Sequence, residues 1–202
     1  MVVPTCSRLI ALDTETTGLY PKHGDRLISI GCVEILADGE PGTSFHQLIN
    51  PERPVSIGAQ RVHGYSWEML KSQPRFVDIA ADFLNFIEGA TLVIHNARFD
   101  IGFLNAELAY INRGSIADYC EGVIDTLLLA RQKRPGKPAS LDALCKAFRI
   151  DASARTLHGA LIDSMLLVQV YNSLTKLPYL VLDDHDSIHK TCCRSFCLCS
   201  RA

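Results

Sequence analysis

Asp13 and Glu15 stand two residues apart in the segment Asp13-Thr14-Glu15-Thr16-Thr17-Gly18. If this segment ends a strand, alternate residues share a face and the two carboxylates converge on one point. Such oxygen ligands suit a hard cation, Mg²⁺ or Mn²⁺ rather than Zn²⁺. By itself the pair also fits a solvated strand end, yet it closes an apolar run, where an unpaired charge is costly. A second polar patch, His95 to Asp100 (HNARFD), directly follows the short apolar run Thr91 to Ile94. Ligands gather after strand ends in open α/β sheets, although Asp100 alone also reads as an ordinary helix-start residue. The third candidate is HGALID, with His158 and Asp163 five apart. That offset does not share a helix face. With Gly159 at a helix entrance, however, His158 leans in from the loop while Asp163 projects from the first turns. Asp13, Glu15, Asp100 and Asp163 brought together repel one another unless divalent cations neutralise them. A nearby histidine adds a general base that works near neutral pH.

The elements that must position these residues read as an α/β domain. Arg8 to Leu12 and Leu27 to Leu36 are apolar, β-branched runs, hence strands. After the turn signals Asp38-Gly39 and Pro41-Gly42, Ser44 to Ile49 makes a third strand, and the three form an antiparallel meander. The period then changes. Phe76, Ile79, Ala80, Phe83, Leu84 and Ile87 line one face of an amphipathic helix, which Gly89 stops. Thr91 to Ile94 is a short buried strand, followed by a helix over about 97–111, and Gly122 to Ile124 is a last strand. Asp125 caps a helix over Thr126 to Gln132, and Ser140 caps Leu141 to Phe148. A final amphipathic helix runs from beyond Gly159 to about Leu174. Three antiparallel strands followed by alternating helices and parallel strands predict a mixed sheet flanked by helices. The expected domain spans residues 5–177, with a Cys-rich tail, 178–202, expected to be flexible.

Composition narrows the function classes. Of 202 residues, 48% are hydrophobic and 21% charged, which supplies a full core and excludes global disorder. With 20 Lys+Arg against 22 Asp+Glu, the chain does not hold nucleic acid mainly by neutralising phosphates. Nucleic acid reached through bound cations stays open, since four of the acidic residues would then be charge-compensated in the site. Arg131, Lys133, Arg134 and Lys137, around Pro135-Gly136, form a basic stretch that reads as a solvated loop or as a phosphate contact. No signal-peptide apolar core and no membrane-length apolar run is present, and Cys6, Cys32, Cys120 and Cys145 are scattered singly, as reduced buried thiols of a cytoplasmic protein are. In the tail, His185, His189, Cys192, Cys193, Cys197 and Cys199 follow no zinc-ligand spacing.

ALDTETTGL (11–19), VIHNARFDIGF (93–103), SLDALC (140–145) and RTLHGALID (155–163) resemble, in order and spacing, the DnaQ-like 3′–5′ exonucleases. Within them the chain is most similar to the proofreading ε subunits of bacterial DNA polymerase III. The histidine-to-aspartate gap in HGALID is that of the DEDDh branch. The resemblance implies a ribonuclease H-like fold, in agreement with the element order. It implies two divalent cations, with Asp13, Glu15 and Asp163 on one, Asp13 bridging to the second, and Asp100 contributing directly or through water. It also implies that His158 deprotonates the attacking water, so that a DNA 3′ end loses its terminal nucleotide as a 5′-monophosphate. His63 matches a position beside that nucleotide, and Thr16 and Asn96 match positions lining the site. Where ε carries a glutamate five residues before this histidine, this chain has Gly58. The implied partner is a replicative polymerase catalytic subunit, although neither the clamp-binding motif nor the long linker of ε is recognisable in the tail. Two other readings remain: a free-standing exonuclease trimming RNA or oligonucleotides, and a non-catalytic subunit that stabilises a polymerase.

Overall fold

Strand β1 (Leu9–Thr16) alternates its apolar side chains, Ile10 and Leu12 facing one layer and Ala11 the other. In the computed structural model, which describes residues 8–153, 155 and 157–178, β1 is central in a five-stranded sheet of order β3-β2-β1-β4-β5. β2 (Leu27–Ile35) and β3 (Pro41–Leu48) continue it as an antiparallel meander. β4 (Thr91–Ile94) and β5 (Gly122–Asp125) run parallel to it.

Seven α-helices occur among the described residues: α1 (Ile57–His63), α2 (Trp67–Leu70), α3 (Phe76–Ile87), α4 (Ala97–Tyr110), α5 (Thr126–Lys133), α6 (Leu141–Phe148) and α7 (Ala160–Lys176). α3 and α4 cover the Ile10/Leu12 face, burying Phe83, Ile87, Phe103 and Leu104. α6 and α7, with Ala130 of α5, cover the Ala11 face together with Val33 and Val93 of the neighbouring strands. This is the expected mixed sheet between helices. Asp125 and Ser140 cap α5 and α6 as expected, accepting from the backbone of Leu127 and Leu128 and of Ala143. α1 and α2 are too short to leave a periodic signature in the sequence. β3 starts three residues before the expected Ser44, at Pro41, because an edge strand tolerates a proline as its first residue.

β1 runs past its apolar part, and the segment Asp13-Thr14-Glu15 ends the strand as its alternating carboxylates require: Asp13 and Glu15 keep their register with β2, opposite Gly31 and Ser29. β4 stops at Ile94, opposite Leu12. The last turn of the pleat in β1 therefore projects past β4, paired on one side only, at the carboxyl edge of the parallel strands.

Two contacts fix the helices around that projection. The N-terminus of α7 lies directly on β2: Ser164 Oγ donates to the Gly31 carbonyl at 2.9 Å. The backbones approach so closely that a Cβ on Gly31 would lie 2.2 Å from the Ala160 carbonyl carbon. On the other face, Arg26 grips the buried Glu107 of α4 with two 2.7 Å bonds, and the Leu27 amide donates to the same carboxylate. Cys32 and Cys145 are buried free thiols and Cys120 is partly buried, as expected. Among the described residues, no helix is long and apolar enough to cross a membrane. The readings made for Cys6 and for the tail beyond Pro178 fall outside the described residues.

Candidate active site

The projecting end of β1 brings together the residues that the sequence singled out. Asp13 and Glu15 point to the face covered by α7, whose first turns present Asp163. Glu15, His158 and Asp163 each offer a ligand atom within 4.8 Å of the others. His158 precedes the α7 N-cap, Gly159, and its Nδ1 lies 3.2 Å from Asp163 Oδ2. The loop position inferred from the five-residue offset is therefore the observed one. The His158 backbone amide donates to the Val62 carbonyl of α1, which ties this loop to the helix ending at His63.

Asp100 arrives from the opposite layer. It is 3% exposed on the first turn of α4 and accepts a 2.7 Å hydrogen bond from Thr14 Oγ1. Thr14 carried no role in the sequence reading; lying between Asp13 and Glu15, it points to the other face of the strand and so meets α4.

Burial sets the electrostatics. It raises the Asp13 carboxyl well above the usual range, with Asp100, Glu15 and Asp163 adding repulsion and Arg155 opposing. Glu15 is pushed up to about 8 by burial and then by Asp163 and Asp100. Asp100 is raised to about 7 by burial, against the stabilising bond from Thr14.

Arg155 is the second residue without a role in the sequence reading. Its guanidinium is nearly buried and pairs with Asp163, with Asp142 at the start of α6, and with the His158 ring. The repulsion expected among the carboxylates is thus partly offset by a cation of the chain itself. A signal existed, since Arg155 and Asp142 lie inside the RTLHGALID and SLDALC motifs.

The remaining candidates are placed less centrally. Thr16 is buried, and its hydroxyl donates to the Gly18 carbonyl, so it offers the site its backbone. His63 is 5% exposed and stacked on Tyr65; burial lowers its pKa, His158 lowers it further, and the Thr16 backbone opposes. Asn96 is exposed, in a left-handed conformation that turns the chain from β4 into α4, its amide and that of Ala97 held by Asp125. It does not join the carboxylates but lines an adjoining cavity.

The sequence profile of the exonuclease family (RNase T type) matches residues 10–171. The DNA polymerase III subunit epsilon of Rickettsia typhi is 52% identical over 170 residues, covering 83% of this chain and 74% of the relative. The chain belongs to the exonuclease family, in its DNA polymerase III ε branch. Among solved structures, exonuclease X in complex with 5′ overhanging duplex DNA superposes with a TM-score of 0.60 at 26% identity, over 82% of this chain and 92% of that one. The zinc-bound E. coli exonuclease I complex with single-stranded DNA gives 0.70 at 19% identity, over 83% of this chain and 40% of that one, a likeness of fold.

The exonuclease family works with divalent cations, and the donor set here fits them: clustered, buried carboxylate oxygens whose charge the fold alone does not compensate. A linkage follows. The unfolded chain releases the Glu15 proton near 4.5, whereas the metal-free fold retains it to about 8. Between those values the folded state binds more protons, so metal-free stability falls as pH rises from about 5 to about 8. Cations bind the ionised form, so their stabilising effect grows over the same window. His63 and His95, both lowered by burial, act in the opposite direction below about 6.5. Neither is among the residues that would hold the cation. Thermal melts in EDTA and in Mg²⁺ from pH 5 to 8.5 should therefore show a widening gap between midpoints; a constant gap would contradict the carboxylate assignment.

Proposed function

We propose that the chain is the proofreading 3′–5′ exonuclease of a DNA polymerase III, removing 3′-terminal nucleotides as 5′-monophosphates. The observation that carries this reading is the convergence of Asp13, Glu15, Asp100, His158 and Asp163 at one strand end, in a chain of the ε branch. Asp13, Glu15 and Asp163 would hold one divalent cation, and Asp13 with Asp100 a second, Mg²⁺ or Mn²⁺ by their oxygen-only preference. When bound, such a pair supplies Lewis acidity at the scissile phosphate and to the attacking water.

The chain's own residues do the rest. His158 is the general base: its side chain is 44% exposed, so a proton it accepts passes directly to solvent. Arg155 and Asp163 flank the His158 Nδ1, at 2.6 and 3.2 Å, and so fix the orientation of the ring. Thr14 holds Asp100 in one rotamer through its hydroxyl. Arg155 pairs with both Asp163 and Asp142, so a cation held by Asp163 would compete with the guanidinium for that carboxylate, and Asp142 would still keep Arg155 at the site. The Thr16 backbone and His63 border the place of the terminal nucleotide, and Asn96 that of the strand behind it. A replicative polymerase catalytic subunit is the partner that brings the primer end to this site, because the near-neutral chain lacks the charge for tight metal-free binding to long DNA.

The decisive experiment compares a 3′-labelled mispaired DNA primer with matched single-stranded DNA and RNA, with and without Mg²⁺. Label should leave as a 5′-mononucleotide only with the cation, and faster from the mispaired DNA. Preference for RNA, or release in EDTA, would overturn the reading.

A further inference from the structure

Beside the carboxylates lies a second cavity of about 450 Å³, lined by His95, Asn96, Arg131, Lys137 and Ser140 among others. It adjoins the smaller cavity of about 210 Å³ that contains Asp13, Asp142, Arg155, His158 and Asp163. His95 and Ser140 line both, so the two form one continuous groove. Its two halves have opposite character: the smaller is acidic, whereas the larger carries Arg131 and Lys137 and no carboxylate.

The basic stretch of the sequence divides in the same way. Lys133 is buried and donates to the Leu177 carbonyl at 2.6 Å, joining α5 to the end of α7. Arg134 stacks on the Phe148 ring, 5.3 Å from its centroid. These two are structural. Arg131 and Lys137 are exposed, line the cavity, and make no ion pair with a described residue. His95 stands at the junction, its Nδ1 3.0 Å from Thr126 Oγ1, with its pKa lowered by burial, Arg131 adding to that and Asp125 opposing. The ring thus stands where the acidic and basic halves meet, held in place by Thr126.

We propose that this basic cavity is a subsite for the backbone phosphate of the polynucleotide strand preceding the scissile bond, with Arg131 and Lys137 as its ligands and the Asn96 and Ser140 side chains at its rim. The proposal rests on the exonuclease reading of the carboxylate site. On that reading the scissile phosphate sits over Asp13 and Asp163, and the terminal nucleotide lies toward Thr16 and His63. A strand leaving the site past His95 and Ser140 then enters the half of the groove where Arg131 and Lys137 make no ion pair with a described residue. Phosphate contacts of this kind position a strand without reading its sequence, which suits an enzyme that must accept any 3′ end. The subsite also offsets the mild net acidity of the chain where the polynucleotide needs it.

The test adds phosphates stepwise, in Mn²⁺. The dinucleotide of thymidine carries only the scissile phosphate; the hexanucleotide carries further ones behind it. Arg131→Gln/Lys137→Gln should raise KM for the hexanucleotide about tenfold and leave kcat, and both constants for the dinucleotide, within about twofold. The salt dependence of kcat/KM on the hexanucleotide should flatten by about 0.7 for each phosphate that the variant no longer neutralises. A charge-matched control, Arg113→Gln/Lys146→Gln, should show neither effect. Equal losses on both substrates, or losses no larger than the control, would overturn the subsite while leaving the exonuclease reading intact. Selective loss of inhibition by thymidine 5′-monophosphate would overturn it too, by placing the product phosphate in the cavity instead. Failure of the unmodified protein to hydrolyse either substrate would overturn the exonuclease reading on which the subsite depends.

Discussion

Asp13→Asn removes nucleotide release, by about 10³-fold or more, and at the same time makes the metal-free protein more stable. The two effects have one cause. Asp13 has no hydrogen bond or ion pair with a described residue that its carboxylate would be needed to satisfy. What it does have is a half-buried position, and beside it Asp100, Glu15 and Asp163, all of which resist its ionisation. Asparagine keeps the shape and polarity and deletes the charge. At pH 8.5 the wild-type cluster is forced to ionise, so the variant gains most there: about 1 kcal/mol or more, or a rise of about 2–4 °C in the midpoint in EDTA. Its cation-dependent stabilisation should shrink, since a carboxylate that would hold the cation is gone. A structural Asp13 would behave in the opposite way, with a lowered midpoint and activity lost through misfolding. Melting curves in EDTA alongside primer hydrolysis in Mg²⁺ separate the two cases; retained hydrolysis, or a fall in midpoint, contradicts the assignment.

The sequence exposes this cluster because each member marks a change of chain behaviour. Asp13 and Glu15 end an apolar run, Asp100 follows the one between Thr91 and Ile94, and His158 and Asp163 flank a glycine at a helix entrance. The amphipathic period of α3 and the caps of α5 and α6 are legible for the same reason, being local rules of spacing and capping. What stays hidden depends on contacts between distant segments. The exact end of β1 at Thr16 rests on pairing with β2, which lets polar residues extend a ladder that their own propensity would end. Thr14 gains its role only because α4 packs on the opposite face, and Arg155, between α6 and α7, only because Asp142 and Asp163 reach it from those two helices. The division of Lys133 and Arg134 from Arg131 and Lys137 is likewise invisible in a run of like charges, since it follows from which side chains meet α7 and Phe148. Short α1 and α2 carry too few residues for a period, although Ser56 and Gly64 cap α1 by rules that a local reading can apply.

Gly31→Ala should both destabilise the protein, by about 3 kcal/mol, and cost about 10²-fold or more in activity, although residue 31 touches no substrate. Gly31 sits opposite Asp13 in the β1–β2 ladder, beneath the first turn of α7. An added Cβ would lie 2.2 Å from the Ala160 carbonyl carbon and 2.3 Å from its oxygen, and backbone atoms cannot rotate away as a side chain can. The helix must lift. Ser164 then loses its bond to the Gly31 carbonyl, and Asp163 and His158 withdraw from Asp13 and Glu15 together. Because the site needs reacting groups placed to within a fraction of an ångström, the displacement costs activity out of proportion to its size. Gly102→Ala is the matched control: Gly102 lies within α4, two residues beyond Asp100, and nothing stands within 4 Å of the Cβ it would acquire. There alanine should stabilise by up to about 1 kcal/mol through helix propensity and leave hydrolysis unchanged. Opposite signs from the same one-carbon change, read in denaturant titration and primer hydrolysis, identify close approach at Gly31 as what sets the distance between strand carboxylates and helix carboxylate. Equal, mild effects at both glycines would mean that α7 is positioned by its apolar contacts alone.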